Sequence, residues 1–155
     1  RAGLASVLRA GALVPVLATV GFRVVMYDNR EELAKKENYP MASEVIFGSF
    51  SDISGKVALT ANDYAVVMTP GHQADYEILS QVLGSDATYI GCIGSRTKVA
   101  KTRERLKGDG YTEEDIARVH APIGLPILAE TPEEIAISIA AEMIEHRARL
   151  AGQRH

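Results

Sequence analysis

Short apolar runs alternate with segments of helical spacing along most of this chain. The apolar runs occupy residues 22–27, 44–47, 64–68 and 89–93, and helical spacing marks residues 13–19, 76–83, 97–106, 113–119 and 132–148. Nearly continuous apolar runs are typical of strands that are buried on both faces, and strands that alternate with helices favour parallel pairing. The pattern therefore predicts an α/β fold with an open, mostly parallel sheet covered by helices on both faces.

Other segments carry weaker signals. Residues 1–12 give no clear strand or helix pattern and are predicted as an uncertain lead segment, while residues 31–36 look like a short helix that Asp28 would cap. Turn-forming residues at 48–62 predict a loop, and prolines break residues 120–127. The last helix is the clearest, because Thr131 is placed to cap it and Pro132 takes its first position. Its predicted apolar face, which we expect to pack on the sheet or on a second subunit, is Ile135, Ile139, Met143 and Ile144.

Length and composition indicate one ordinary globular domain over residues 1–155. Hydrophobic residues make up 46% and charged residues 24% of the chain, with a formal net charge of -3. We therefore expect no bulk nucleic-acid binding, which needs a strongly basic face, and no membrane span, because no apolar run is long enough. The single cysteine, Cys92, excludes an internal disulfide and fits a reducing compartment, and we predict that it is a buried apolar side chain.

The stretch from residue 89 to residue 98 predicts a strand, a tight turn and a capped helix. Gly91 and Gly94 have no Cβ to block a left-handed turn or a close backbone approach, and Ser95 is placed to cap the helix. Free N–H groups, the positive end of a helix dipole, Arg96 and Lys98 all favour negative charge. We predict that this turn binds a phosphate or carboxylate; an ordinary turn with solvated cations is the alternative.

Three further candidates follow predicted strands. Asp28 ends the run at 22–27, where a carboxylate of a dinucleotide-binding fold accepts hydrogen bonds from a ribose diol, and the nearby Arg30 would suit an adenosine phosphate. His72 and Asp75 follow the run at 64–68, and parallel sheets bind ligands at such carboxyl ends. The histidines have no metal-ligand spacing, so no metal site is expected.

Three segments together resemble the XdhC/CoxI family, the accessory proteins of xanthine dehydrogenases and related molybdenum hydroxylases. They are residues 69–75, with the sequence TPGHQAD, residues 89–96, with the sequence YIGCIGSR, and residues 120–125 continuing to 131–136. The similarity covers about residues 13–150, and the last two segments are far more specific than a lone glycine motif.

The resemblance implies a Rossmann-like, cytoplasmic maturation factor that forms a homodimer. Such proteins are thought to bind molybdenum cofactor, as molybdopterin or its dinucleotide form, and to deliver it to an apo-hydroxylase without turnover of their own. A cysteine desulfurase is a further partner that the resemblance suggests. By the same comparison, the loops that contain Asp28, His72 and His120 would surround a pterin whose phosphate lies on the turn at residues 91–98, and Asp75 and Gly124 are further cofactor-binding candidates.

The chain departs from the family pattern at its beginning. Family members open this domain with a strand and a Gly-x-Gly-His-Val turn, and residues 1–12 hold only Gly3 and Gly11, neither of which follows a strand-like run. The family's separate cysteine-containing domain is also absent from this sequence. The chain begins at Arg1, which suggests a fragment, a processed product or an incomplete sequence.

A nicotinamide-dependent oxidoreductase is the alternative function, with NAD(P) as its cofactor. It needs a complete first glycine turn and a proton donor near the nicotinamide, and Asp28 and His72 are the residues that hint at either. A dimerisation scaffold without a ligand is a third possibility. Neither a Gly-x-Ser-x-Gly elbow nor a Walker A loop is present, which argues against those hydrolase and nucleotidase classes.

Overall fold

A single parallel sheet organises the molecule. The computed structural model describes residues 2–7, 11–69 and 72–152, with side chains described for residues 11–69 and 74–152. Within these residues six strands form one sheet in the order β3-β2-β1-β4-β5-β6, and every neighbouring pair is parallel. The strands are Ala2–Val7 (β1), Arg23–Asp28 (β2), Glu44–Phe47 (β3), Tyr64–Met68 (β4), Tyr89–Cys92 (β5) and Val119–His120 (β6). This is the strand order of a dinucleotide-binding Rossmann fold, so the predicted fold class is confirmed.

Helices cover both faces of the sheet and create two hydrophobic cores. One core joins Leu13, Leu17, Ile139 and Met143 to the sheet, and the other uses Ile78, Leu79, Leu106 and Ile116. The helices are Leu13–Thr19 (α1), Ile53–Lys56 (α2), His72–Leu83 (α3), Arg96–Gly108 (α4), Glu113–Ala117 (α5) and Pro132–Leu150 (α6). Helix α1 packs against α6 on the first face, so the fold has three layers as predicted. No helix in the described ranges combines the length and the apolar content that a bilayer crossing requires.

Three helices begin at a capping serine or threonine, and the sequence analysis named two of them, Ser95 and Thr131. The side chains of Ser95, Thr112 and Thr131 each accept a hydrogen bond from a backbone N–H in the first turn of α4, α5 and α6. For α5 and α6 the third helical residue, Asp115 or Glu134, bonds back to the cap and completes a capping box. Backbone N–H donors at residues 130 and 131 lower the pKa of Glu134.

The prediction for residues 1–12 was wrong, because residues Ala2–Val7 form the central strand β1. It pairs with β2 on one side, where Ala2 lies opposite Arg23, and with β4 on the other, where Leu4 lies opposite Ala65. Small residues give little intrinsic preference for a strand. The two neighbouring strands satisfy the β1 backbone from both sides, and this tertiary pairing is not visible in a local pattern.

Two other local predictions were also wrong. Residues 31–36 form turns, in which Leu33 and Ala34 both bond to the Arg30 carbonyl, and a short 3₁₀ helix follows at Lys36–Asn38. The predicted loop at 48–62 contains a 3₁₀ turn at Phe50–Asp52 and helix α2, because Phe50 and Ile53 are buried against the second core. Ile144 is more than one-third exposed, whereas Ile139 and Met143 face the sheet as expected.

An arginine fastens the amino-terminal end of β5 to the end of α3. The guanidinium of Arg118 donates to the carbonyls of Leu83, Ser85 and Ala87, at 3.1, 3.0 and 3.1 Å. These carbonyls belong to the last turn of α3 and the loop that follows, where helix carbonyls lack intrahelical partners. The Arg118 side chain therefore supplies the hydrogen-bond donors for three carbonyls of the connection from α3 to β5.

Candidate functional site

The carboxyl ends of β2, β4, β5 and β6 carry the residues that the sequence selected. Strand order reverses between β1 and β4, and Rossmann-like sheets bind ligands in the crevice outside the strand ends at this point. Asp28 is the last residue of β2, Asp75 lies in the first turn of α3 after β4, and the turn at residues 93–95 follows β5. The fold thus brings three of the predicted groups to one edge of the sheet.

The turn between β5 and α4 has the geometry predicted for an anion site. Gly94 has φ +154°, a conformation that favours glycine, and the Ser95 hydroxyl accepts a hydrogen bond from the Lys98 N–H at 3.3 Å. Arg96 and Lys98 are exposed, and within the described part of the chain neither side chain has an ion pair or hydrogen bond. Both cations are therefore available to a negative ligand, as are the backbone N–H groups of Arg96 and Thr97, which have no partner among the described residues.

Gly91 and Gly124 are required by packing. A Cβ on Gly91, which is buried in β5, would overlap Ile123 Cδ1 and lie 2.8 Å from its Cγ1. A Cβ on Gly124 would overlap the Ser138 hydroxyl of α6, and Gly124 also has φ +100°. These two glycines let the loop after β6 lie against β5 and α6, and a ligand role for either stays a prediction.

Asp28 is held by its own chain. The backbone N–H and Nε of Arg30 donate to Asp28 Oδ1 at 3.0 and 3.1 Å, and Arg30 Nη2 donates to Oδ2 at 3.1 Å. The Tyr39 hydroxyl reaches Oδ2 at 3.4 Å, and Asp28 is 0% exposed. The bond to Asp28 raises the pKa of Arg30, and burial, assisted by the Asp28 charge, raises the pKa of Tyr39. A ribose diol would have to displace Arg30 before it could reach this carboxylate.

Asp75 anchors the loop after β4. It accepts hydrogen bonds from the Thr69 N–H, at 3.0 Å, and from the Thr69 hydroxyl. Asp75 also lines a small cavity of about 20 Å³ beside Cys92, Lys98 and Arg103, which is room for about one water molecule. A pterin does not fit inside it, so a ligand would lie on the open edge above. The side chain of His72 lies outside the described residues, and its predicted role remains a prediction.

Cys92 is the buried apolar residue that the sequence predicted. Burial, with a smaller contribution from the nearby Asp75 carboxylate, raises the pKa of the Cys92 thiol to about 12. Because the thiolate is the reactive form, this cysteine is poorly suited to sulfur transfer or metal binding at neutral pH. Within the described ranges no group of three His, Cys, Asp or Glu side chains is arranged to hold a metal ion.

His120 belongs to a different cluster on the α6 face of the sheet. Its ring stacks on Tyr89, with centroids 4.6 Å apart, and its Nδ1 lies 3.8 Å from Glu142 Oε1. The Tyr89 hydroxyl donates to the same Glu142 oxygen, and the ring of His146 packs edge-on against both His120 and Tyr89. The described contacts of His120 are therefore made with this cluster and not with the turn after β5.

Sequence reasoning missed the residues that hold these candidates in place. Tyr39, Thr69 and Glu142 contact Asp28, Asp75 and His120. Thr69 begins the segment 69–75 but was not singled out, and Tyr39 and Glu142 lie outside the three segments. The Asp28–Arg30 spacing was the one available signal, because an Asp side chain often accepts from the backbone two residues further on. The other contacts depend on tertiary packing.

The strand order and the glycine turn between β5 and α4 are those of a Rossmann-like domain. A family model described as the XdhC Rossmann domain matches residues 6–143. The chain belongs to this family, which confirms the resemblance found in the sequence.

Two curated relatives and one solved structure support the assignment. The chain is 32% identical to a probable xanthine dehydrogenase subunit from Bacillus subtilis over 90% of its length, and 31% identical to the uncharacterized protein YqeB of Escherichia coli over 86%. It spans only 40% and 25% of those relatives. The crystal structure of a xanthine dehydrogenase (BH1974) from Bacillus halodurans superposes with a TM-score of 0.81 at 32% identity, covering 96% of this chain and 43% of that one.

Proposed function

We propose that this protein binds molybdenum cofactor at the turn between β5 and α4 and delivers it to a molybdenum hydroxylase of the xanthine dehydrogenase type. The observation that carries the proposal is a pair of exposed cations, Arg96 and Lys98, beside the backbone N–H groups of Arg96 and Thr97, which have no partner among the described residues. They lie at the edge of the sheet where Rossmann folds bind ligands. Names given to the relatives link the family with xanthine dehydrogenase, which supports a hydroxylase as the recipient.

The residues at the turn fit the phosphate of the cofactor. Backbone N–H groups at a helix N-terminus and two cations are the donors that phosphate prefers. For the metal, the described residues offer no ligand cluster, so the metal would remain on ligands that the cofactor itself supplies. In this proposal Gly94 keeps the backbone close to the phosphate, Ser95 fixes the helix start, and Arg96 and Lys98 neutralise the charge.

The test compares charge removal at the turn with charge removal elsewhere on the same helix. Arg96→Ala and Lys98→Ala should each weaken cofactor retention by about ten-fold, because a hydrogen bond to a charged group contributes roughly 1.5–3 kcal/mol. Lys101→Ala, which removes an exposed cation further along α4, should have little effect. Retention is measured as pterin released on denaturation of the purified protein. Equal retention by all three variants would contradict the proposal, as would a wild-type protein that retains no pterin.

An NAD(P)-dependent oxidoreductase is the second candidate, because Asp28 ends β2 at the position that contacts ribose in dinucleotide-binding folds. Fluorescence titration with NADH and NADPH separates the two functions. A carrier of molybdenum cofactor should show no tight nicotinamide binding, whereas an oxidoreductase should bind one of the two reduced nucleotides at micromolar concentration or below.

A further inference from the structure

The carboxylate at the end of β2 has no acceptor position left for a ligand. Three donors of Arg30 and the hydroxyl of Tyr39 together occupy both oxygens of Asp28. A carboxylate can accept about four hydrogen bonds, and these four contacts account for all of them. Since Asp28 is 0% exposed, water has no access to it either, and the Arg30 side chain is the cover that a ligand would meet.

The cover has a geometry that a ribose cannot reproduce. Arg30 approaches Asp28 through Nε and Nη2, one to each oxygen, which is the bidentate arrangement that makes Arg–carboxylate pairs specific as well as strong. A diol would offer two neutral donors in place of a cation. The exchange would therefore leave the Asp28 charge uncompensated in a buried position, which is strongly unfavourable.

The covered position lies far from the turn after β5. Strands β1 and β4 separate β2 from β5, so the two sites are three strand spacings, or roughly 14 Å, apart along the sheet edge. A pterin phosphomonoester whose phosphate lies on the β5 turn has no ribose to place at the end of β2. A dinucleotide, which lies across the sheet edge in this fold, is the ligand that would use both positions.

We infer that Arg30 is a specificity-determining residue that keeps a ribose diol away from Asp28. The ligand is therefore the phosphomonoester form of the pterin cofactor, and its dinucleotide form is excluded. The choice between the two forms rests on the function proposed above. The exclusion of ribose is a property of the Asp28–Arg30 pair itself and is tested separately.

The first experiment offers both forms of the cofactor to the wild-type protein. Molybdopterin and molybdopterin cytosine dinucleotide are dialysed anaerobically against the protein at equal concentration, and bound pterin is measured by fluorescence after oxidation. We expect a preference of at least about ten-fold for molybdopterin, the loss expected when a charge-assisted hydrogen bond cannot form. Equal retention would overturn the inference and leave the proposed function standing, whereas retention of neither form would overturn the proposed function.

The second experiment uses NADH, which carries a ribose diol and no pterin. Arg30→Ala uncovers Asp28 and should tighten NADH binding by at least about ten-fold relative to the wild type. The control is Arg23→Ala, which removes the same charge from the opposite end of β2, where Arg23 lies 3.7 Å from Glu44, and should leave NADH binding unchanged. Adding Asp28→Asn to Arg30→Ala should abolish the gain.

Thermal unfolding shows whether each variant is folded before it is titrated. Folded Arg30→Ala protein that gains no affinity for NADH would overturn the inference, and so would a wild-type protein that binds NADH as tightly as the variant does. If Arg30→Ala does not fold, the comparison of the two pterin forms on the wild-type protein decides the question without a substitution.

Discussion

Replacement of Gly124 by alanine tests the contact that holds the loop after β6 against α6. Gly124 has φ +100°, and a side chain in a left-handed conformation costs about 1–2 kcal/mol. The new Cβ would overlap the Ser138 hydroxyl, which donates to the Leu125 carbonyl at 2.7 Å. The hydroxyl must rotate away and lose this bond, at a further cost of about 0.5–1.5 kcal/mol.

The expected total is a loss of about 1.5–3.5 kcal/mol in the free energy of unfolding. For a chain of this length each kcal/mol lowers the melting temperature by about 2–4 °C. Gly110→Ala is the matched control, because Gly110 has φ +94° and nothing within 4 Å of its would-be Cβ. It should lose only the backbone contribution of about 1–2 kcal/mol. Urea denaturation, followed by circular dichroism, measures both losses. The dependence of the free energy of unfolding on urea concentration should be the same for the wild type and both variants.

A double-mutant cycle with Ser138→Ala isolates the hydroxyl. Ser138→Ala alone should cost about 1 kcal/mol for the lost hydrogen bond, but in the Gly124→Ala background it should cost almost nothing, because that bond is already broken. An interaction energy near 1 kcal/mol is therefore expected. The packing explanation would be refuted if Gly124→Ala cost no more than Gly110→Ala, or if the effects of the two substitutions were additive.

Three further predictions concern the cap, the cysteine and the histidines. Ser95→Ala should lower the free energy of unfolding by about 1 kcal/mol, because α4 loses its capping acceptor; an unchanged urea midpoint would contradict this. Cys92, whose thiol has a pKa raised to about 12, should react with iodoacetamide at pH 8 only in denaturant, and labelling of the native protein at the rate of a free thiol would contradict the burial. His146 has its pKa lowered from 6.5 by burial, with a smaller contribution from the neighbouring His120 charge, so it contributes stability that is fully present above pH 6.5 and is lost as pH falls through the lower folded-state pKa. The urea midpoint should fall as the pH is lowered from 7.5 to 5, and it should fall less steeply in His146→Gln. Parallel curves for the two proteins would refute His146 as a source of this pH dependence.

Features that depend on residues close in the sequence could be predicted from the sequence. Ser95 and Thr131 were expected as caps, and both accept the hydrogen bonds that cap α4 and α6. Strands β2 to β5 were expected from their apolar runs. Strands β2, β4 and β5 are buried along most of their length, whereas β3 has no buried residue. The helix proposed for residues 31–36 was wrong, because Arg30 turns back onto Asp28 and its carbonyl starts a turn.

Features that depend on tertiary partners were not predictable. Strand β1 is specified by β2 and β4 on either side of it, and its own small residues carry little information. The roles of His120 and Gly124 follow from α6, where Glu142 and Ser138 are their partners. A motif can name such residues, but only the packing of the last helix shows which groups they contact.

The three carbonyl bonds of Arg118 lie at the end of the sheet opposite the candidate site. They lie before β5, whereas the turn with Arg96 and Lys98 lies after it, so one strand of four residues, or about 13 Å, separates them. A lysine at position 118 would have no planar guanidinium with which to bond to three acceptors, so it would not replace the arginine. Attachment of the protein to a sensor surface through a residue near Asp86, close to the arginine, would leave the opposite edge facing the solution.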